Sequence, residues 1–448
     1  MTGRRRGPVE NVPDVALVGS VRRAWTPLGL LLAIPAPALF ATMLIPADTF
    51  ATLWGQAHFF RAPYDGYAIL NLTLVLFVAF VLQGLLRRTF AVSVSPDLAR
   101  RISRATTVLA VLTFAAYAAW ILIALIRGLT LDVVIAMLQG QPAAMYVFKQ
   151  DLLVPVSGVT TWTQLGPVLL SLLIIEGKVR GSYRRRVILA LLVLVVLRSY
   201  FNSERLALVE VVVAGLITLA TLAPTRTANF DRVSVAAGAY ATGWAGLAVF
   251  FGAWEASRSW AYHASSYQGT LVDFSLQRMF GYYATAFNNG ALMTSVSAPP
   301  DLLAVFPVLG LVPQLGERLQ SSSSISYLEA LTQQSNPEFN NPSGLLVADA
   351  AFGPIGGAAL VSLTVLGVML ITVLASSGSV AGLVAYSSTA VGVLELARIY
   401  YFGDSRFLPV VIALVVLALY LRREKPAKRA RPTPRTGRLP VLGGASRT

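Results

Sequence analysis

The chain has 448 residues, is 55% hydrophobic and only 13% charged, and carries a formal net charge of +15 with a mean hydropathy of +0.65. That composition, with several apolar runs of bilayer length, excludes a large soluble core and points to a polytopic membrane protein. The absence of cysteine excludes disulfides, thiolate metal sites and a cysteine nucleophile, and two histidines, His58 and His263, are too few for a multi-histidine centre.

Residues 1–23 form a basic cytoplasmic segment containing Arg4, Arg5, Arg6, Arg22 and Arg23. The apolar stretch that follows is too long for a signal-peptide core and reads as an uncleaved first span. Ten spans are expected, at about 24–46, 67–86, 105–126, 160–177, 187–200, 206–223, 233–255, 355–375, 380–395 and 407–421. With the N-terminus inside, 26 of the 36 Lys and Arg fall on the cytoplasmic side and 10 outside, which is the positive-inside bias. Both termini are therefore expected in the cytoplasm, with residues 24–255 as spans one to seven and 355–421 as spans eight to ten. The tail at 422–448 is basic and proline-rich, and reads as a disordered, orientation-setting segment, the alternative being a segment that binds anionic membrane lipids or a partner. No nucleic-acid-binding module accompanies this charge, so nucleic acid is not expected as a partner.

Most connections are short, but two on the outer side, about 127–159 and 256–354, are not, and the second forms one large extracytoplasmic loop. Loops of this length are functional or disordered, and the aromatic content of this one argues for a partly helical structure. Leu276, Phe280, Tyr283 and Phe287 share a helical stripe, so "DFSLQRMFGYYATAFNN" predicts an amphipathic helix on the membrane surface. Prolines and glycines in "NPEFNNPSGLLVADAAFGPIGG" predict turns before span eight.

Two polar links stand out. "RSYFNSER", Arg198 to Arg205, joins spans five and six, and "RIYYFGDSR", Arg398 to Arg406, joins spans nine and ten. Each has Arg at both ends, a Tyr-Phe pair inside and an acid near the second Arg. At about 1.5 Å per residue Arg198 lies only about 18 Å from Arg186, short of a ~30 Å hydrocarbon core. A guanidinium at or below the surface demands a partner. Two such links side by side would create a positive pocket suited to a lipid diphosphate, because guanidinium forks bind phosphate oxygens bidentately. The alternative is an interfacial belt of snorkelling Arg and anchoring Tyr. Glu210, further along span six, is either functional or a partner for an arginine. In the large loop, Arg278 adds a cation, while Tyr282, Tyr283, Asn288, Asn340 and Asn341 offer stacking faces and amides suited to sugars.

"LRSYFNSERLALVEVVVAGL" resembles the segment of oligosaccharide repeat-unit (O-antigen type, Wzy-like) polymerases in which an Arg opens a span after a small polar turn. "GYYATAFNNGAL" followed by "NPEFNNPSGLLVADAAFGPIGGAALVSLTVLGVML" looks like their large outer loop, with Asp349, Phe352, Gly353 and Gly356 matching the lead-in to the next helix. The resemblance covers roughly residues 180–420. It implies an all-α, GT-C-like transmembrane bundle and a metal-independent glycosyltransferase without a cofactor. Its substrates would be undecaprenyl-diphosphate-linked repeat units on the outer face of a bacterial plasma membrane, and its partners a chain-length regulator and a flippase. The related O-antigen ligases have a loop His followed by Asn, Ser or Gln; here His263 precedes Ala264, which counts against that activity.

In the polymerase reading a hydroxyl of one repeat unit attacks the anomeric carbon of a lipid-linked chain. Arg198, Arg205, Arg398, Arg406 and Arg278 would stabilise the departing diphosphate, and a carboxylate would take the acceptor proton. Candidates for that base are Asp349, Glu338 and Asp273, followed by His263. Asp349 reads alternatively as a turn or helix-capping residue. The rival classes are a lipid-linked oligosaccharide flippase, which predicts repeats and interrupted helices, and a scaffold of envelope assembly.

Overall fold

The computed structural model describes residues 14–87, 89–139, 141, 147, 151–156, 158–202, 205–223, 233–264, 267–297, 299–319, 322–336 and 338–422. The basic residues of the N-terminal segment before residue 14, the tail from residue 423, and Glu204 of the first polar link lie outside them.

The protein is helical, and every apolar run expected to span coincides with a helix or helix pair. The first run divides into α1 (Pro27–Ala33) and α2 (Pro35–Met43), followed by α3 (Ala47–Trp54). Then come α4 (Tyr64–Gln83), α5 (Pro96–Ile126), α6 (Leu131–Leu138), α7 (Gly166–Arg180), α8 (Arg185–Phe201), α9 (Arg205–Leu222) and α10 (Val233–Arg258). After α11 (Trp260–His263), α12 (Leu271–Val296), α13 (Leu302–Val305), α14 (Pro313–Leu319) and α15 (Ser322–Gln334), the chain ends in α16 (Gly344–Ser376), α17 (Val380–Leu394) and α18 (Phe407–Leu421).

Among the described residues five helices are long and apolar enough to cross a membrane: α4, α5, α9, α16 and α17 with the turn that extends it to Ala397. The pair of Pro27–Met43 and Ala47–Trp54, bent by 104°, raises the number to six. α7, α8 and α18 have 15, 17 and 15 residues. At about 1.5 Å per residue each is shorter than a ~30 Å hydrocarbon core.

Local chemistry explains the helix starts. Ser95 accepts from the Leu98 amide at 3.2 Å with Pro96 in the first turn of α5, and Ser379 accepts from the Gly382 amide at 3.0 Å at the head of α17. In the interior, small and hydroxyl residues let helices approach. Ser171 of α7 meets Ser387 of α17 at 2.9 Å, and Thr218 of α9 donates to Ser171 at 3.2 Å.

The sequence reading contained no strands, yet β1 (Val15–Ser20) and β2 (Thr89–Val94) pair antiparallel, from Val15 opposite Val94 to Ser20 opposite Thr89. Leu17, Phe90 and Val94 bury their side chains. Gly19 sits so close to the end of α9 that a Cβ there would meet the Thr221 carbonyl oxygen at 1.8 Å.

The large loop differs most from expectation. α12 is a helix of 26 residues buried among α2, α10, α15 and α16, not an amphipathic helix on the surface. The polar residues Ser275, Arg278, Asn288 and Asn289 are buried too, while Phe280 of the apolar stripe is 45% exposed. The expected turns before residue 355 hold for the described residues up to Ser343, which are turn, bend or irregular, but from Gly344 a helix takes their place. α16 begins at Gly344, capped by Ser343, and breaks at Gly353, whose φ of 71° suits glycine, just before Pro354.

Candidate anion-binding recess

α7 and α8 are antiparallel neighbours, so the start of one and the end of the other meet at the same end of the bundle. α18 begins there as well. The polar run that precedes α7 faces the C-terminal turn of α8, which places Arg198 against it: the Arg198 guanidinium donates to Thr163 at 2.5 Å. Gln164, its amide oriented to serve both neighbours, accepts from Arg198 at 2.7 Å and donates to Glu210 of α9 at 3.1 Å. Glu210 is hydrogen-bonded in turn to Tyr401 of the second polar link, which lies within electrostatic reach of Arg406 and Asp404. Arg198 and Arg406, about two hundred residues apart, thus line one recess of about 580 Å³ together with Thr163, Gln164, Asn202 and Ser405, walled by Trp120 and Trp162. Two guanidiniums beside apolar walls suit a site for an anion with an apolar part.

The other three arginines take different places. Arg205 is 7% exposed, stacks on Phe251 at 4.2 Å and Tyr282 at 4.9 Å, and is ion-paired to Glu255 of α10. Glu255 is fully buried and also receives Arg278 of α12 at 3.1 Å; Arg278 reaches Glu338 at 2.7 Å and stacks on Phe339 at 5.0 Å. Arg398 pairs with Glu395 at 2.7 Å and lies within electrostatic reach of Tyr282 and Tyr283. Tyr282 therefore borders both the Arg205 cluster and Arg398. The two polar links do approach, but only one arginine of each opens on the recess.

None of the four candidate bases lines it. Asp349 is 1% exposed, six residues past the cap Ser343, and Asn71 of α4 donates to both its oxygens at 3.1 and 3.0 Å. It is neither a turn nor a capping residue. Asp273 is the one that caps: its carboxylate accepts from the Thr270 amide at 3.0 Å and the Thr270 hydroxyl at 2.7 Å. Those bonds, the hydroxyl first, hold it below the ordinary aspartate range. His263 packs against Phe274, 5.5 Å between ring centroids. Glu338 is 45% exposed and held by Arg278.

The expected sugar amides are largely engaged in the fold. Asn288 is fully buried, accepts from the Phe59 and Phe60 amides at 2.6 and 3.1 Å and donates to Gln56 and Ala57. Asn341 offers its carbonyl to Asn289 at 3.4 Å, and Asn340 its carbonyl to Tyr327 at 3.4 Å, with the Asn340 side chain exposed. Tyr283 is buried against Trp244 and Tyr282 half-buried against Phe251 and Phe339.

Sequence reasoning missed Thr163, Gln164 and Tyr401 as members of the network, and Glu255. A signal existed for the first two: "TTWTQLGP" puts a polar run directly before an apolar helix. Glu255 fell on the assumed edge of span seven and passed as a boundary charge. No protein-family model, curated protein or solved structure matches this chain.

Proposed function

We propose that the protein is a membrane glycosyltransferase that joins lipid-diphosphate-linked oligosaccharide units into a polysaccharide. The observation that supports this most is the recess in which Arg198 and Arg406 converge from two separate links. Two permanently charged forks in one partly apolar cavity match a diphosphate on a lipid, and they need no proton exchange to hold the charge that develops as it leaves. The Gln164–Glu210–Tyr401 chain fixes Arg198 in advance, which lowers the reorganisation needed in the transition state. Trp120 and Trp162 supply apolar walls for the first isoprene units or faces for a sugar.

In this reading the chain crosses the plasma membrane ten times with both termini cytoplasmic, and the recess opens outward. The acceptor hydroxyl loses its proton to a carboxylate of the large loop. Neither Glu338 nor Asp349 lines the recess, so the acceptor would have to extend beyond it to reach Glu338, the solvent-reachable one of the two, while both oxygens of Asp349 are taken by Asn71. The test is incubation of the reconstituted protein with lipid-linked repeat units as sole substrate, reading glycan length.

A second reading, lipid-linked oligosaccharide transport, draws on the broken helices: the 104° bend before α3 and the Gly353 break in α16. Interrupted spans accompany alternating access in transporters. A transporter would move the same substrate across vesicles without lengthening it.

A further inference from the structure

At the opposite end of α18 from the recess, Asp97, Arg100, Arg101 and Arg104 of α5 and Tyr420 of α18 surround a second cavity of about 330 Å³. We propose that it is a binding site for the phosphate of an anionic phospholipid; this does not rest on the glycosyltransferase reading. The depth of the cavity follows from α5. No charged residue occurs from Ala105 to Ile126, a run of 22 residues or about 33 Å, close to the ~30 Å hydrocarbon thickness. Arg104 therefore marks the edge of the hydrocarbon, with Arg101, Arg100 and Asp97 at successive headgroup levels. Tyr420, near the end of α18, sits where amphipathic rings gather at membrane interfaces.

The cavity holds three guanidiniums and one carboxylate. Asp97 pairs with Arg101 at 2.6 Å and Arg100 at 3.4 Å. Among the described residues no ion pair reaches Arg104, and one terminal nitrogen of Arg101 is buried without a hydrogen-bond partner. Surplus positive charge at headgroup depth calls for a phosphate diester. A lipid, rather than free phosphate, is indicated by what lies beneath. Val108 and Val111 follow Arg104 on the same face of α5, and Val416 lies one turn below Tyr420 on α18; they are 57%, 62% and 60% exposed. A charged cup above an apolar stripe on adjacent helices fits a headgroup with its acyl chains.

The test is native mass spectrometry of the full-length protein in detergent, titrated with phosphatidylglycerol and, separately, phosphatidylcholine. Arg100 and Arg104 are exposed, so R100Q/R104Q is expected to fold; it should lower phosphatidylglycerol affinity about 25-fold, roughly fivefold per arginine, and leave phosphatidylcholine unaffected. The control R185Q/R186Q removes equal charge from the same end of the bundle outside the cavity, and should change affinity by less than about twofold. Unchanged binding in R100Q/R104Q, or equal loss in the control, would overturn the site. Displacement of phosphatidylglycerol by 10 mM inorganic phosphate would overturn the lipid assignment.

Discussion

Replacing Glu255 by alanine removes a carboxylate shared by two buried guanidiniums, and the structure predicts where the penalty falls. Glu255 is fully buried and Arg205 is 7% exposed, stacked on Phe251 and Tyr282. Arg278 keeps Glu338, but Arg205 loses its ion pair with Glu255. Breaking a buried pair from one side costs about 3–5 kcal/mol, because an uncompensated charge stays out of water. Glu338→Ala removes a partner that is 45% exposed, and solvent screening limits that loss to about 1 kcal/mol or less. Arg205→Met combined with Glu255→Gln deletes one charge of each sign and leaves an acceptor for Arg278, so it should recover most of the Glu255→Ala loss. Denaturant unfolding in mixed micelles, followed by tryptophan fluorescence, measures all three. Equal losses for Glu255→Ala and Glu338→Ala would refute the claim that burial makes this network stabilising.

Asn71→Ala should destabilise by about 3 kcal/mol, since it strips donors from the buried Asp349 carboxylate and the Leu345 carbonyl, whereas Asp349→Asn keeps an acceptor and should cost less; the same unfolding assay ranks them. Gly403→Ala should displace the second polar link, because its Cβ would lie 1.8 Å from the Val305 carbonyl oxygen, and should weaken diphosphate binding measured by calorimetry along with stability. The Asp273 carboxylate is held below its unfolded-state value, so its contribution is present at neutral pH and is lost as pH falls through the folded value. Amides in the first turn of α12 should then exchange faster in acid in wild type, with the pH dependence reduced in Thr270→Ala.

How much was legible follows from the physics of each element. Continuous apolar runs fold as helices whatever their surroundings, so the expected run at 67–86 lies on Tyr64–Gln83 and that at 407–421 on Phe407–Leu421. Arg198 and Arg406 were legible because a charge beside a short apolar helix is conspicuous. α12 was not, since periodicity separates polar from apolar faces but cannot reveal that Arg278 finds a partner 60 residues away and Asn288 one 229 residues away. The role of Asp349 was hidden for the same reason: its partner, Asn71, is 278 positions distant. The strand pair joins segments of only six residues, too short for a pattern to stand out before their partner is known.

The central claim, that the Arg198 and Arg406 recess holds a leaving lipid diphosphate, is tested most directly by glycan length. The reconstituted protein, given undecaprenyl-diphosphate-linked repeat units alone, should produce a ladder of lengthened glycans. Arg198→Ala and Arg406→Ala should each slow that elongation by roughly a hundredfold or more, the loss typical of a transition-state charge stabiliser, and Arg198→Lys should restore little of it. Folded wild-type protein that leaves every repeat unit single, or Arg198→Lys with normal chain length, would contradict the account.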